Sequence, residues 1–329
     1  MSLGINVTIP EGIVLAADSR QTYRNQKGMA RVGSDSASKV FRIGSRMGLV
    51  IAGLAFLPQQ GVMKNVSGFI DDFRQTIPVD KLSVGEVAKE LAQYFDARVP
   101  YRDQLKGIPA GIKADMARQS MELLDLKEEP TRVVFHFKNQ QGQVQEAVAA
   151  PDGLQFILAG YNKDRSSEVY MVYIPGATDQ ARDSRKQGKE FGAGWIGQTD
   201  VVTRIVLGFD PRLQGIPLVR EAAVKLGEAA VQQQLRGVEY SIQWGTMTLQ
   251  DAIDFCQLAI ETTTAIQRFS DGVLMDPGDM TGVGGPIDMA VITYDKGFTW
   301  LNRKHLNFKS KTGDVEVDLE NLPSLDMDK

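Results

Sequence analysis

The first twenty residues, MSLGINVTIPEGIVLAADSR, leave the chain little choice about how it begins. Ile5, Val7 and Ile9 alternate with Asn6 and Thr8, the two-residue period of a strand with one buried face. Pro10-Glu11-Gly12 makes a tight turn, because Pro fixes φ and Gly permits positive φ. Ile13 to Ala17 is a continuous apolar run, the pattern of a strand covered on both faces. It ends on a carboxylate, Asp18, followed by Ser19 and Arg20. A hairpin placed here carries the terminus straight into the fold. If Met1 is removed, that terminus is Ser2, with a hydroxyl and an α-amine on one residue.

Composition narrows the classes. The chain has 329 residues, enough for one large domain or two small ones. A net charge of -4 gives no basic footprint, which argues against nucleic acid as a partner. Cys256 is the only cysteine, so no intrachain disulfide forms and a reducing cytoplasm is expected. No apolar run reaches the roughly 18 residues of a membrane span. The first residues lack the basic-then-apolar pattern of a secretory signal. With only His136 and His305 beside that cysteine, neither a zinc site nor a Cys-His pair is expected, and no cofactor is implied.

Along the chain, Gln21 to Ser38 reads as a polar loop. Lys39 to Ile43 and Met47 to Gly53 read as a hairpin. Val62, Val66, Phe69, Ile70 and Phe73 place a helix within 57–77. Ser83 and Glu86 have capping-box spacing before a helix carrying Val87, Leu91, Tyr94 and Phe95 on one face. Those aromatics read as core. A helix is expected near Ile112 to Leu126, and a strand over Arg132 to Phe137. His136, inside that strand, reads as a satisfied structural histidine. Leu154 to Tyr161 and Glu168 to Tyr173 read as paired strands. Val201 to Leu207 and Ile216 to Arg236 read as helices. Thr248 and Asp251 cap a further helix running to Arg268, apolar nearly all round and therefore expected between layers. Cys256, inside it, reads as a small packed hydrophobe. Phe269 to Val283 reads as a loop, and Ile287 to Thr293 with Phe298 to Leu301 as the closing strands. Strands and helices come in blocks, which predicts an α+β fold of stacked layers.

Three segments near the start resemble the opening of a proteasome β-type subunit, one of the N-terminal nucleophile (Ntn) hydrolases. They are Gly12-Ile13-Val14-Leu15-Ala16-Ala17-Asp18-Ser19-Arg20, Ser38 to Ile43, and Gly48 to Leu54. Gly284-Gly285-Pro286-Ile287-Asp288-Met289-Ala290-Val291-Ile292-Thr293 resembles that family's last-strand motif. The resemblance covers roughly residues 2–98 and 153–301 with gaps, and its specificity lies in the combination. It implies a four-layer αββα sandwich: one Ntn-hydrolase domain over 1–301, insertions near 100–130 and 209–247, and a polar, acidic tail over 302–329. By motif, Asp18 matches the family's aspartate, Lys39 its lysine and Gly53 its oxyanion-binding glycine. Ser2 falls on its nucleophilic threonine. Departures are visible too. Gly197-Gln198-Thr199 stands where active members have a Gly-Ser-Gly run; active members also have an aspartate, and a serine just before the two glycines, where Val283 stands. Asp271, Asp279 and Thr281 are the candidates for those supporting roles.

The chemistry expected of such a centre is self-activation. An alcohol is a weak nucleophile until a base takes its proton. A terminal amine, of pKa about 7.7–8.0, is such a base, and a nearby ammonium lowers that value further. The resemblance implies a threonine/serine-type endopeptidase acting on peptides or unfolded protein from a homo-oligomeric ring. Whether an ATPase or other regulator serves it stays open. Two alternatives remain open: a non-catalytic assembly subunit, in which Ser2 merely follows an initiator methionine, and an Ntn amidase on a small amide.

Overall fold

The computed structural model describes residues 2–24, 29–273, 276–277, 281–304, 306–310 and 313–317. The chain opens with the hairpin β1 (Leu3–Ile9) and β2 (Gly12–Ala17), then β3 (Val40–Gly44) and β4 (Met47–Gly53). Helices α1 (Val66–Thr76), α2 (Val84–Asp96) and α3 (Tyr101–Arg118) follow. Next come β5 (Glu122–Glu129), β6 (Arg132–Lys138), β7 (Val144–Ala149), β8 (Leu154–Tyr161), β9 (Ser167–Ile174), β10 (Thr178–Asp183) and β11 (Gly192–Gly197). Four helices come after these: α4 (Asp200–Leu207), α5 (Pro217–Leu226), α6 (Glu228–Leu235) and α7 (Leu249–Phe269). Strands β12 (Asp288–Thr293) and β13 (Gly297–Asn302) close the main sheet.

The α+β class holds, with two five-stranded antiparallel sheets at its centre. One runs β11-β1-β2-β12-β13 and the other β10-β9-β8-β4-β3. The hairpin begun at Leu3 is therefore central to the first sheet. Three cores follow from the alternation of side chains along these strands. Phe69, Phe73, Leu91 and Phe95 of α1 and α2 pack on Leu49, Phe156 and Val172 of the second sheet. Leu15, Val50, Ile157 and Ile292 fill the space between the sheets. Leu3, Ile5 and Val7 pack with Val202, Val206, Cys256 and Ile260 of α4 and α7. Burial pushes the Cys256 thiol pKa up, so it stays a neutral packed group.

Strand β1 corrects the expectation of one buried face: every residue from Leu3 to Ile9 is buried. Asn6 and Thr8 are covered as well, and the Asn6 amide donates to the Thr8 hydroxyl at 3.2 Å. The polar members of the alternation therefore mark the sheet-facing side rather than a wet one.

Other corrections have local causes. The helix placed within 57–77 starts only at Val66, capped by the Asn65 side chain. Gln60 and Gly61 both adopt positive φ, turning the chain into a short hairpin of Phe56–Gln59 against Val62–Asn65. The loop Gln21–Ser38 contains a two-stranded ribbon, Gln21–Arg24 against Ala30–Ser34. The helix near Ile112–Leu126 instead runs Tyr101–Arg118 with Pro109 inside it, and Glu122–Glu129 is a strand. Ile112 and Met116 of α3 share a small separate core with Val133 and Phe135 of β6. Ile216–Arg236 is two helices, divided at Gly227, whose φ of 88° a helix does not accommodate. Helix α7 buries only one face, since Leu258 and Phe269 are 56% and 74% exposed. Its position is therefore an outer layer, not one between layers. The capping boxes at Ser83–Glu86 and Thr248–Asp251 form as read. Of the polar tail, Leu306–Ser310 pairs with Gly313–Val317, while 318–329 lies outside the described residues.

His136 is satisfied, as read. It lies on the outer face of the small sheet, between its cross-strand partners Asp125 and Glu146. Its Nδ1 is 2.8 Å from Asp125 and its Nε2 is 3.2 Å from Glu146. Hydrogen bonding to Asp125, then the charges of both carboxylates, hold the imidazolium pKa above its ordinary value. A raised folded-state pKa adds stability that is complete below the unfolded value of about 6.5 and fades as pH rises through the folded one. The melting temperature of wild type relative to His136→Asn is therefore expected to fall as pH rises above about 6.5, by thermal unfolding at each pH. A difference that does not change with pH would contradict this.

Candidate active site

Antiparallel pairing brings the start of β1 to the end of β2, and the start of β3 to the end of β4. Ser2, Asp18, Lys39 and Gly53 occupy those four positions. Ser2, Lys39 and Gly53 line one pocket, together with Thr22, Ile51 and Ala52. Ser2 is 5% exposed, and its carbonyl accepts from the Gln198 N–H at 2.6 Å.

Asp18 is the anchor. It is fully buried, and an ionised carboxylate there needs every lone pair satisfied. Oδ1 accepts from Lys39 Nζ at 2.7 Å and from the Leu3 N–H at 3.0 Å. Oδ2 accepts from the N–H groups of Arg20 at 3.0 Å and Gly284 at 2.9 Å. The carboxylate thus fixes the peptide next to Ser2 and the ammonium of Lys39 with one group. Lys39 Nζ also donates to the Arg20 carbonyl at 2.6 Å. Burial lowers the Lys39 pKa, and the Asp18 charge and hydrogen bond oppose that shift. Arg20 turns outward, 2.7 Å from Asp35.

Gly53 ends β4 at φ 103°, and a Cβ there would lie 2.2 Å from the Gly153 carbonyl oxygen. Gly53→Ala is therefore expected to cost about 1–3 kcal/mol in urea unfolding, the scale of a strained backbone residue, and to displace the pocket wall. Wild-type stability would show that the turn relaxes freely.

The supporting candidates separate in space. Asp271 is exposed and does not line the Ser2 pocket. Asp279 lies outside the described residues. Thr281 is not in the pocket lining either, and its carbonyl accepts from Arg20 Nη1 at 3.4 Å. The two positions expected to hold serine hold Gln198 and Val283, and Gln267 joins them. Gln267 Nε2 donates to Gln198 Oε1 at 2.8 Å, and Gln267 Oε1 accepts from the buried Val283 N–H at 2.9 Å. Sequence reading missed this pair, and it missed the Gly284 N–H on Asp18. It also missed Asp288 and Lys304, an ion pair beside the site. The available signal was Asp288 itself, a carboxylate within an apolar strand run, which demands a partner. Among the described residues no group of three or more His, Cys, Asp or Glu is arranged to hold a metal, and no helix is long and apolar enough to cross a membrane.

No family model matches the chain, and no curated protein matches it. Among solved structures the chain is similar to Anbu (ancestral beta-subunit) from Yersinia bercovieri, at 10% identity and a TM-score of 0.43. The match covers 91% of this chain and 87% of that one. The resemblance to proteasome β-type subunits is accordingly corrected as a family assignment. No family model supports it, and the structural likeness found is to Anbu and weak.

Proposed function

We propose that this chain is an N-terminal-nucleophile hydrolase that cleaves peptide bonds through an acyl-enzyme ester on Ser2. The observation that carries the reading is the shared pocket of Ser2, Lys39 and Gly53, with the Lys39 ammonium 2.7 Å from a fully buried Asp18. The reading requires removal of Met1, which turns the Ser2 peptide nitrogen into an amine. That amine takes the Oγ proton as Oγ attacks the substrate carbonyl carbon. The Gly53 N–H receives the oxyanion, a contribution of about 2.7–4 kcal/mol for one such donor. Collapse of the tetrahedral intermediate breaks the C–N bond, and the ammonium of Ser2 protonates the leaving amine. Water, deprotonated by the same amine, then attacks the ester carbonyl, and Oγ leaves with the proton. Lys39 keeps the amine neutral by its charge, and Asp18 holds Lys39. No metal or cofactor enters these steps. Ile51 and Ala52 on the pocket wall favour an apolar substrate side chain.

The same reading takes residues 1–301 as one domain with a four-layer αββα order, supported by the three successive cores, and places it in the cytoplasm. A fluorogenic peptide panel tests the activity, alongside the intact mass of untagged protein. Cleavage with Met1 absent is the expected result, and no cleavage with Met1 retained would refute the reading. Cleavage of small amides but of no peptide would move the substrate to the amidase alternative. Gln198, paired with Gln267, and Val283 favour a second reading, a non-catalytic subunit, because they stand where the resembled family has hydroxyl groups.

A further inference from the structure

We infer that Lys304 and Asp288 are positioning residues for the Ser2–Lys39 centre, a second, partly buried ion pair that locks the Asp18–Ser19–Arg20 segment and sets the charge around Lys39. The link to catalysis rests on the hydrolase reading above; the electrostatic link does not.

Asp288 opens β12 opposite Ala17, the residue before Asp18, and is 2% exposed. Lys304 lies two residues beyond β13. Its N–H donates to Asp288 Oδ1 at 3.2 Å, and its ammonium donates to Asp288 Oδ2. The same ammonium donates to the Ser19 hydroxyl at 2.8 Å. Ser19 is fully buried, with its N–H on the Gly284 carbonyl and its carbonyl on the Ala37 N–H, both at 3.0 Å. Two ammonium groups therefore hold alternate members of one tripeptide. Lys39 takes the Asp18 carboxylate and the Arg20 carbonyl, and Lys304 takes the residue between them.

Anchoring alone does not need charge. An apolar pair of similar volume commonly serves a buried position as well as an ion pair does. What an apolar pair lacks is a field. The charged groups acting on Lys39 are Asp18 from the end of β2, Asp288 from β12 and Lys304 after β13, and Asp35 in the loop beyond β2 feels the Lys39 charge in turn; the Arg20 guanidinium points away to Asp35. On Lys39, Lys304 acts to lower the pKa and Asp288 to raise it. Neutralising one partner should therefore move the centre one way, and neutralising the other should move it the opposite way.

The test uses Lys304→Gln and Asp288→Asn, which keep polar contacts and remove one charge each. Lys39 titration is followed by NMR of 13C-methylated protein, its signal assigned by loss in Lys39→Arg. Lys304→Gln is expected to raise the Lys39 pKa by roughly 0.5–1 unit and Asp288→Asn to lower it comparably. The acidic limb of kcat/KM is expected to follow, to higher pH in the first and lower pH in the second. A pair that is only structural would lower the melting temperature of both variants without opposite titration shifts, and that result would overturn the inference. If one single variant does not fold, the other decides: a Lys39 shift in the direction given for it supports the inference, and an unshifted Lys39 overturns it. Opposite shifts in a protein that hydrolyses nothing would support the coupling and refute the hydrolase reading alone.

Discussion

Ser2→Ala is expected to lower kcat on a responsive fluorogenic peptide by roughly 10⁴-fold or more, with the melting temperature within a few degrees of wild type. The size follows from the role. Removing the nucleophile of a covalent mechanism removes the reaction path, and what remains is binding and oxyanion stabilisation. The neutrality for folding follows from the geometry. Two of the contacts that join Ser2 to the fold are made by backbone: its carbonyl accepts from Gln198, and the next N–H donates to Asp18. Alanine keeps both. Alanine at the terminus also leaves Met1 removal and the free amine in place, so the variant isolates the hydroxyl. Steady-state kinetics with thermal unfolding check both halves. Activity within tenfold of wild type would remove Ser2 from the chemistry.

Lys39→Met is expected to abolish activity and also to destabilise the protein. It leaves the Asp18 carboxylate fully buried without its countercharge. Breaking a buried pair from one side costs roughly 3–5 kcal/mol. Three backbone N–H groups still reach Asp18, from Leu3, Arg20 and Gly284, so a loss near the lower end, about 3 kcal/mol, is expected. Urea unfolding measures it. The double variant Asp18→Asn/Lys39→Met should recover part of that stability and none of the activity, because it removes the unpaired charge without restoring the ammonium. Recovery of activity in the double variant would mean that the pair is structural only.

The sequence made the central hairpin and its carboxylate readable for physical reasons. The apolar run Ile13–Ala17 ending on Asp18 has one plausible strand assignment, and Lys39 at the head of another apolar strand needs an anion. The two meet at 2.7 Å. Capping boxes are readable because both partners lie within four residues. Long-range partners are not. Lys304 and Ser19 are 285 positions apart, and nothing local to either announces the other. Glu122–Glu129 is not legible locally, because its leucines fit a helix or a strand and pairing with β6 decides between them. Asn6 and Thr8 looked wet because polarity in an alternating strand usually marks the solvent side. Here a second sheet covers that side.

The central claim is that one leading residue supplies both nucleophile and base. The most direct measurement is mass spectrometry of the N-terminal peptide of untagged protein, acid-quenched during turnover of an activated peptide ester. The expected spectrum contains a peptide beginning at Ser2 with the acyl group on its hydroxyl. A peptide that retains Met1, or a Ser2 peptide that stays unmodified while the ester is consumed, would contradict the claim.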